Sequence, residues 1–308
     1  MTTRRWHKLA MLHKIEAAYA NDASPAAADA IVASNITFTP FQAEEVQRDL
    51  ILPFSGNQGK LLAGEHGRIE FDVEVAGAGA AGDVPRYGSL LRASGFAETV
   101  SAGVEVVYSP VDDAVESGTL YFNSDGVQHV FVGVRANLQM TYNAKGIPHF
   151  RLSMVGLLGQ VTDVALPAVT KAGWVDAVLV NKANTVLSLH GWTAVAESIS
   201  FNMGNEVTPR FLIGEEEVLI TDRKVSGTVV VKAATMAEID WFAIVRARTR
   251  GALTLTQGTV AGNIVEIGAA AVEIGTPTQG QTDKIVNYSL PLELCPANGL
   301  DELIITVR

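Results

Sequence analysis

The sequence predicts a mainly β protein made of two tandem, diverged sandwich- or barrel-like domains, each with one flanking α-helix. Three observations predict it. From residue 35 onward apolar residues recur with a period of two. Turn-forming residues separate the alternating runs. After a linker the order of elements starts again.

Residues 8–20 come before the change of period. Leu9, Leu12, Ile15 and Tyr19 recur at three- and four-residue steps, which predicts a short amphipathic helix. The Ala-rich stretch 21–34, with Pro25, reads as an arm or connector. Ile69, Phe71, Val73 and Val75 then alternate with Glu70, Asp72 and Glu74, so one strand face is buried and the other is wet. Val104–Tyr108, Thr119–Phe122 and Val127–Val134 read as strands, and Asp125-Gly126 marks a hairpin between the last two. A second hairpin is expected at Asn143–Gly146, between strands over Ala136–Tyr142 and His149–Val155. Residues 85–95 predict a short helix that Pro85 opens and Gly95 ends.

The second half repeats this order. Glu197–Phe201 alternates as Ile36–Phe38 does. A charged, Gly-containing loop over 202–216 follows, then strands at Val218–Thr221 and Thr228–Lys232. Met236–Arg248 predicts an amphipathic helix with Trp241, Ile244 and Val245 on its apolar side. Strands are expected at Ala252–Thr256, Ile264–Ile267, Ala271–Ile274, Ile285–Leu292 and Leu303–Val307. The expected organisation is an N-terminal helix and arm over 1–34, a β domain over 35–165, a linker over 166–190 and a β domain over 191–308.

Composition narrows the function. The 308 residues are 48% apolar and 18% charged, enough for a packed core and too apolar for a disordered chain. No apolar run is long enough to cross a bilayer. The net charge of −10 argues against a broad phosphate-gripping surface. Cys295 is the single cysteine, so neither an intrachain disulfide nor a Cys-based zinc site is expected, and folding in a reducing cytosol follows. His7, Lys8, His13, Lys14 and Glu16 break up any apolar export segment.

The motifs that carry chemistry are weak. Gly77-Ala-Gly79-Ala-Ala-Gly82 fits G-x-G-x-x-G, but the preceding strand has a wet acidic face, unlike a central parallel strand. The six histidines lack metal-ligand spacing, and Ser and Cys295 lack a nucleophile context. No catalytic, cofactor or metal residue is therefore assigned. Trp174 and Trp192 lie in or near the linker and read as cover for the junction between halves. The long segments 41–64 and 202–226 stand out, because long loops in compact domains usually carry function. The first holds the apolar patch Leu50, Ile51, Leu52 and Phe54 beside Asp49.

Several of these stretches resemble the major tail tube proteins of long non-contractile-tailed bacteriophages (siphophage-type), including relatives in transposable phages. The resemblance is carried by KLAMLHKIEAAYANDASPAAADAIVASNITFTP at 8–40, RDL at 48–50 and GRIEFDVEVAGAGAAGDVPRYGSLLRASGFAETV at 67–100. It continues through AKGIPHFRLSMVGL at 144–157, NMGNEVTPRFLIGEEEVLITDRKVSGTV at 202–229 and ELIITVR at the end. It implies tail-tube-type β domains and a structural virion protein, made in the host cytoplasm, whose sheets join around a channel. It also implies stacked rings, sixfold by single domains or trimeric and pseudo-sixfold by duplicated ones. Tape-measure, terminator and tail-tip proteins are the implied partners, and DNA passes without specific binding, membrane or cofactor. The expected assembly interface is Arg48, Asp49, Leu50, Phe54, Asn205, Glu206, Arg210, Asp222 and Arg223. The expected lumen face is Glu70, Asp72 and Glu74. Two alternatives stay open on sequence: a virion decoration or receptor- or glycan-binding module, which needs an exposed binding patch, and a glycan hydrolase, which needs convergent acids.

Overall fold

The computed structural model describes residues 3–308. The first half contains β1 (Leu9–Ile15), β2 (Ala30–Ile31), β3 (Ser34–Gln47), β4 (Lys60–Glu74), α1 (Gly88–Ala93), β5 (Phe96–Ser101), β6 (Glu105–Pro110), β7 (Gly118–Ser124), β8 (Val127–Asn143) and β9 (His149–Asp163). The second contains β10 (Thr185–Leu189), β11 (Trp192–Thr193), β12 (Ala196–Asn202), β13 (Asn205–Leu212), β14 (Glu215–Arg223), β15 (Ser226–Lys232), α2 (Trp241–Ala247), β16 (Arg250–Gln257), β17 (Val265–Ile274), β18 (Thr278–Thr282), β19 (Ile285–Cys295) and β20 (Ile304–Val307). The fold is mainly β and antiparallel, with one short α-helix in each half, as the sequence predicts.

One continuous ladder runs β3-β4-β9-β8-β12-β15-β19-β18. A second runs β5-β6-β20-β17-β16-β10. Strands β2-β1-β7 join the first half through the N-terminal part of β8. The alternation at β4 is realised in full: Ile69, Phe71 and Val73 are completely buried, and they belong to one core cluster that extends to Leu255, Leu292 and Ile305. Burying such side chains supplies about 1.5–3 kcal/mol each, which fixes the register wherever one face is covered. Asp125 and Gly126 take positive φ and turn β7 into β8, as expected of that dipeptide.

Four sequence expectations are corrected. Residues 9–15 form a strand paired with β7, not a helix. Ala10, Met11, Leu12 and His13 are all buried, and a strand covered on both faces has no alternation to reveal it, so the Leu9-Leu12-Ile15 spacing imitates a helix. Much of 41–64 is strand: β3 and β4 extend as a long hairpin arm to Gln47 and Lys60. The segment 202–216 is no loop either; it falls mostly within the β13–β14 hairpin. The predicted helix over 236–248 shrinks to Trp241–Ala247. Asp240 caps it by accepting from the Ala243 amide at 2.9 Å, and Arg248 ends it at φ 49°.

The glycine motif at 77–82 is a packing joint. The Gly77 amide donates to Asn263 Oδ1 at 2.7 Å and the Gly79 amide to the Gly262 carbonyl at 2.8 Å. A Cβ on Gly77 would lie 2.1 Å from the Gly262 oxygen. These two amides are engaged by the other half of the chain and are not free for a phosphate. Trp174 also ties the linker to the first half, donating to the Ala30 carbonyl at 3.3 Å. Trp192 packs edge-on against Trp241 within the second half.

Candidate assembly interface

Two hairpins leave the sheets, and each carries candidate residues. The first is the arm formed by the outer parts of β3 and β4. Its strands pair from Gln42–His66 to Gln47–Lys60, with Lys60 ion-paired to Glu45. Gln58 closes the tip, donating to the Leu50 carbonyl at 2.6 Å and accepting from the Leu50 amide at 2.7 Å. This small closure presents apolar groups to solvent. Ile51 is 103% exposed and Phe54 68%, with Leu50 and Leu52 also exposed. Arg48 and Asp49 are exposed beside them. The tip's apolar side chains therefore face water within the protomer.

The second hairpin, β13–β14, lies back over the first half. Val218 is fully buried with Val155 and Leu157, and Phe211 and Val207 pack around them. Phe211 also meets Gly64 and His66 at the base of the arm; the His66 and Phe211 ring centroids are 6.1 Å apart. Arg135, buried in β8, donates to the Glu217 carboxylate at 3.0 Å, to the Val218 carbonyl, and to the Val115 carbonyl at 2.9 Å. Its guanidinium stacks 5.1 Å from the Tyr19 ring centroid, and the Val218 amide donates to Tyr19 Oη at 2.6 Å.

The candidate residues on this hairpin divide into two groups. Asn205 and Arg223 are held inside the protomer. Asn205 Nδ2 donates to the Ser94 carbonyl at 2.7 Å and the Ala136 carbonyl at 3.0 Å. Arg223 donates to Glu302 at 2.6 Å, Asp112 at 2.9 Å and the Val111 carbonyl at 3.0 Å. Glu206, Arg210 and Asp222 are exposed, and so is the tip residue Ile213. Arg223→Ala leaves the buried Glu302 carboxylate without its cation, so a loss of about 3 kcal/mol in urea denaturation is expected. Arg223→Lys should recover only part of it, because three contacts radiate from one planar guanidinium.

The acids on the wet face of β4 are not bare. Arg151 on β9 donates to Asp72 at 2.8 Å and to Glu70 at 2.9 Å, and Arg68 donates to Glu70 at 2.9 Å. Burial alone would raise the Glu70 carboxyl, but the hydrogen bonds from Arg151 and Arg68 prevail and hold it below its usual range. The bond to Asp72 leads the causes that raise Arg151. Glu74 stays exposed. Sequence reading missed Arg151, although Arg151 and Ser153 share the wet face of their strand by the same period that exposes Glu70 and Asp72.

Across the described residues no group of three or more His, Cys, Asp or Glu side chains is arranged to hold a metal ion, and no helix is long and apolar enough to cross a membrane. The family model described as phage tail tube protein matches residues 6–294. The chain belongs to the phage tail tube protein family. That is a structural family of the virion, not an enzyme family. Both hairpins and both acidic-face arginines lie within the matched span of this tail tube protein. No curated protein matches the chain.

Proposed function

We propose that this tail tube protein assembles with itself into stacked rings that form a hollow conduit for phage DNA, and that it catalyses no reaction. The observation that carries this reading is the arm: a paired, ordered hairpin holds an apolar tip away from its own core. A neighbouring copy, in the same ring or the next, is the cover that supplies such a surface at every position in a tube. On this reading Arg48, Asp49, Leu50 and Phe54, with Glu206, Arg210 and Asp222, meet the neighbour. Asn205 and Arg223 fix the hairpin that presents the last three.

Two tandem domains, 35–165 together with β1 and 191–308 together with β10, give each chain two steps around the axis, so three copies make a pseudo-sixfold ring. The wet face with Glu70, Asp72 and Glu74 lines the lumen. Its arginines are already engaged by carboxylates, which leaves little free positive charge to hold phosphates. Tape-measure, terminator and tail-tip proteins contact the tube and its ends, and the chain resides in the virion after synthesis in the host cytoplasm.

Negative-stain electron microscopy of the purified chain at low and high concentration tests the proposal. Hollow rings or tubes, with threefold averages of six similar lobes, are expected. Monomers at every concentration, even with tail-tip components added, would overturn it.

A further inference from the structure

The strand pairings contain the same ladder twice. In the first half the order is β1-β7-β8-β9-β4-β3. In the second it is β10-β16-β17-β19-β15-β12, with β18 continuing β17 along β19. Corresponding strands follow in the same chain order, and each half places its α-helix between the same two of them. By this correspondence β12 stands for β3, and β18 stands for the C-terminal part of β8.

Those two places are joined once inside the chain. β12 pairs antiparallel with the end of β8 over five positions, from Ser198–Asn143 to Asn202–Gln139. This contact carries the long ladder from one half into the other. The counterparts of the two joined strands have no such partner: among the described residues β3 pairs only with β4, and β18 only with β19. The five residues of β18 are all exposed.

Two further features fit these edges to each other. Ile36-Thr37-Phe38 of β3 repeats the Ile199-Ser200-Phe201 pattern of β12, the stretch that pairs with Tyr142, Thr141 and Met140. The edges are also undefended. β18 reads Thr-Gln-Gly-Gln-Thr, and Asn35–Thr39 is likewise free of charge and of proline. Solitary edge strands normally carry Lys, Pro or a covering element to block pairing with another chain. Pro40 ends the usable part of β3, leaving a stretch about as long as β18.

We infer that β3 of one copy pairs antiparallel with β18 of the next, repeating between chains the β12–β8 contact made within each. This rests on the tube reading and specifies the partner strands within a ring. Every copy then offers one donor edge and one acceptor edge, a heterologous contact that closes into a ring and leaves no edge of this ladder exposed.

Backbone geometry supplies a test that spares the protomer. Asp283 and Lys284, both at positive φ, form the two-residue turn between β18 and β19, so Thr282 and Ile285 are the hydrogen-bonded pair. Alternation from there points the amides of Gln281 and Gln279 away from β19, toward the free edge. The double variant Gln279→Pro/Gln281→Pro removes those donors. It also removes the Gln281 Oε1 acceptor of the exposed Lys284 amide (3.0 Å), so it should melt only slightly below the wild-type protomer while each ring contact weakens about tenfold or more, so that tubes are lost. In wild-type tubes, hydrogen exchange at these two amides should slow relative to the protomer. Wild-type tubes whose yield the prolines leave unchanged, or in which both amides exchange as freely as in the protomer, would overturn the pairing and leave the tube reading standing. Absence of tubes in the wild type would overturn both.

Discussion

Glu16→Ala is expected to lower the unfolding free energy of the protomer by about 3–5 kcal/mol, read as a shift of the urea midpoint at constant slope. Glu16 directly follows β1 and is 9% exposed. One carboxylate oxygen accepts from the Ser117 hydroxyl at 2.6 Å and the Ala20 amide at 2.9 Å. The other accepts from the Thr119 hydroxyl at 2.8 Å and the Gly133 amide at 2.9 Å. Alanine would leave four donors without partners in a space too small to hydrate freely, and each unmet buried donor costs about 1–3 kcal/mol. Glu16→Gln should recover part of the loss, because its oxygen serves one pair of donors while its NH2 group faces the other. Gly133 is also fixed here: it sits at φ 62°, and a Cβ would lie 2.6 Å from Tyr19 Oη. Tyr19 in turn accepts from Val218 of β14, so the node that holds the N-terminal strand also holds the hairpin carrying Glu206 and Arg210. A change below about 1 kcal/mol would show that the carboxylate is dispensable and that water serves its donors.

What the sequence reveals depends on how many faces of a strand are covered. At Ile69–Val75 one face is covered, so alternation is visible and the strand is read correctly. At Ala10–His13 both faces are covered, and only the incidental spacing of Leu9, Leu12 and Ile15 remains to be read. Along Gln42–Gln47 neither face is buried, so the arm has no hydrophobic period and resembles a loop. The β13–β14 hairpin has the same difficulty, since among its residues only Asn205 and Val218 are buried.

The assembly surface divides in a similar way. The apolar run at Leu50–Phe54 is conspicuous among polar neighbours, and its exposure follows from that contrast. The anchoring of Asn205 and Arg223 depends on partners such as Asn137 and Val111, which are distant in sequence and marked by no motif. Arg151 escaped because charge was read one strand at a time, whereas Glu70 and Asp72 face it across the β4–β9 ladder. The free edges of β3 and β18 are invisible in sequence for a different reason. An edge is defined by the absence of a neighbour, and only the complete set of pairings reveals it.

Ile51→Asp combined with Phe54→Asp is expected to abolish assembly while leaving protomer stability within about 0.5 kcal/mol, as for other exposed surface substitutions. Neither side chain has a core to lose, since they are 103% and 68% exposed. The tip closure depends on Gln58 and the Leu50 backbone, which the substitutions leave in place. If a neighbouring copy covers the tip, burial of the two side chains supplies about 3–6 kcal/mol per contact in the wild type. The variant loses that gain and must also desolvate two carboxylates without partners, so each contact changes from favourable to prohibitive. A tube repeats the contact in every subunit, and the effect should therefore be all-or-none by electron microscopy, with sedimentation showing intact protomers. Tubes that survive both aspartates would mean that the tip remains in water after assembly. Stacking would then have to rest on the exposed end of β13–β14, where Leu212 and Ile213 are uncovered apolar groups.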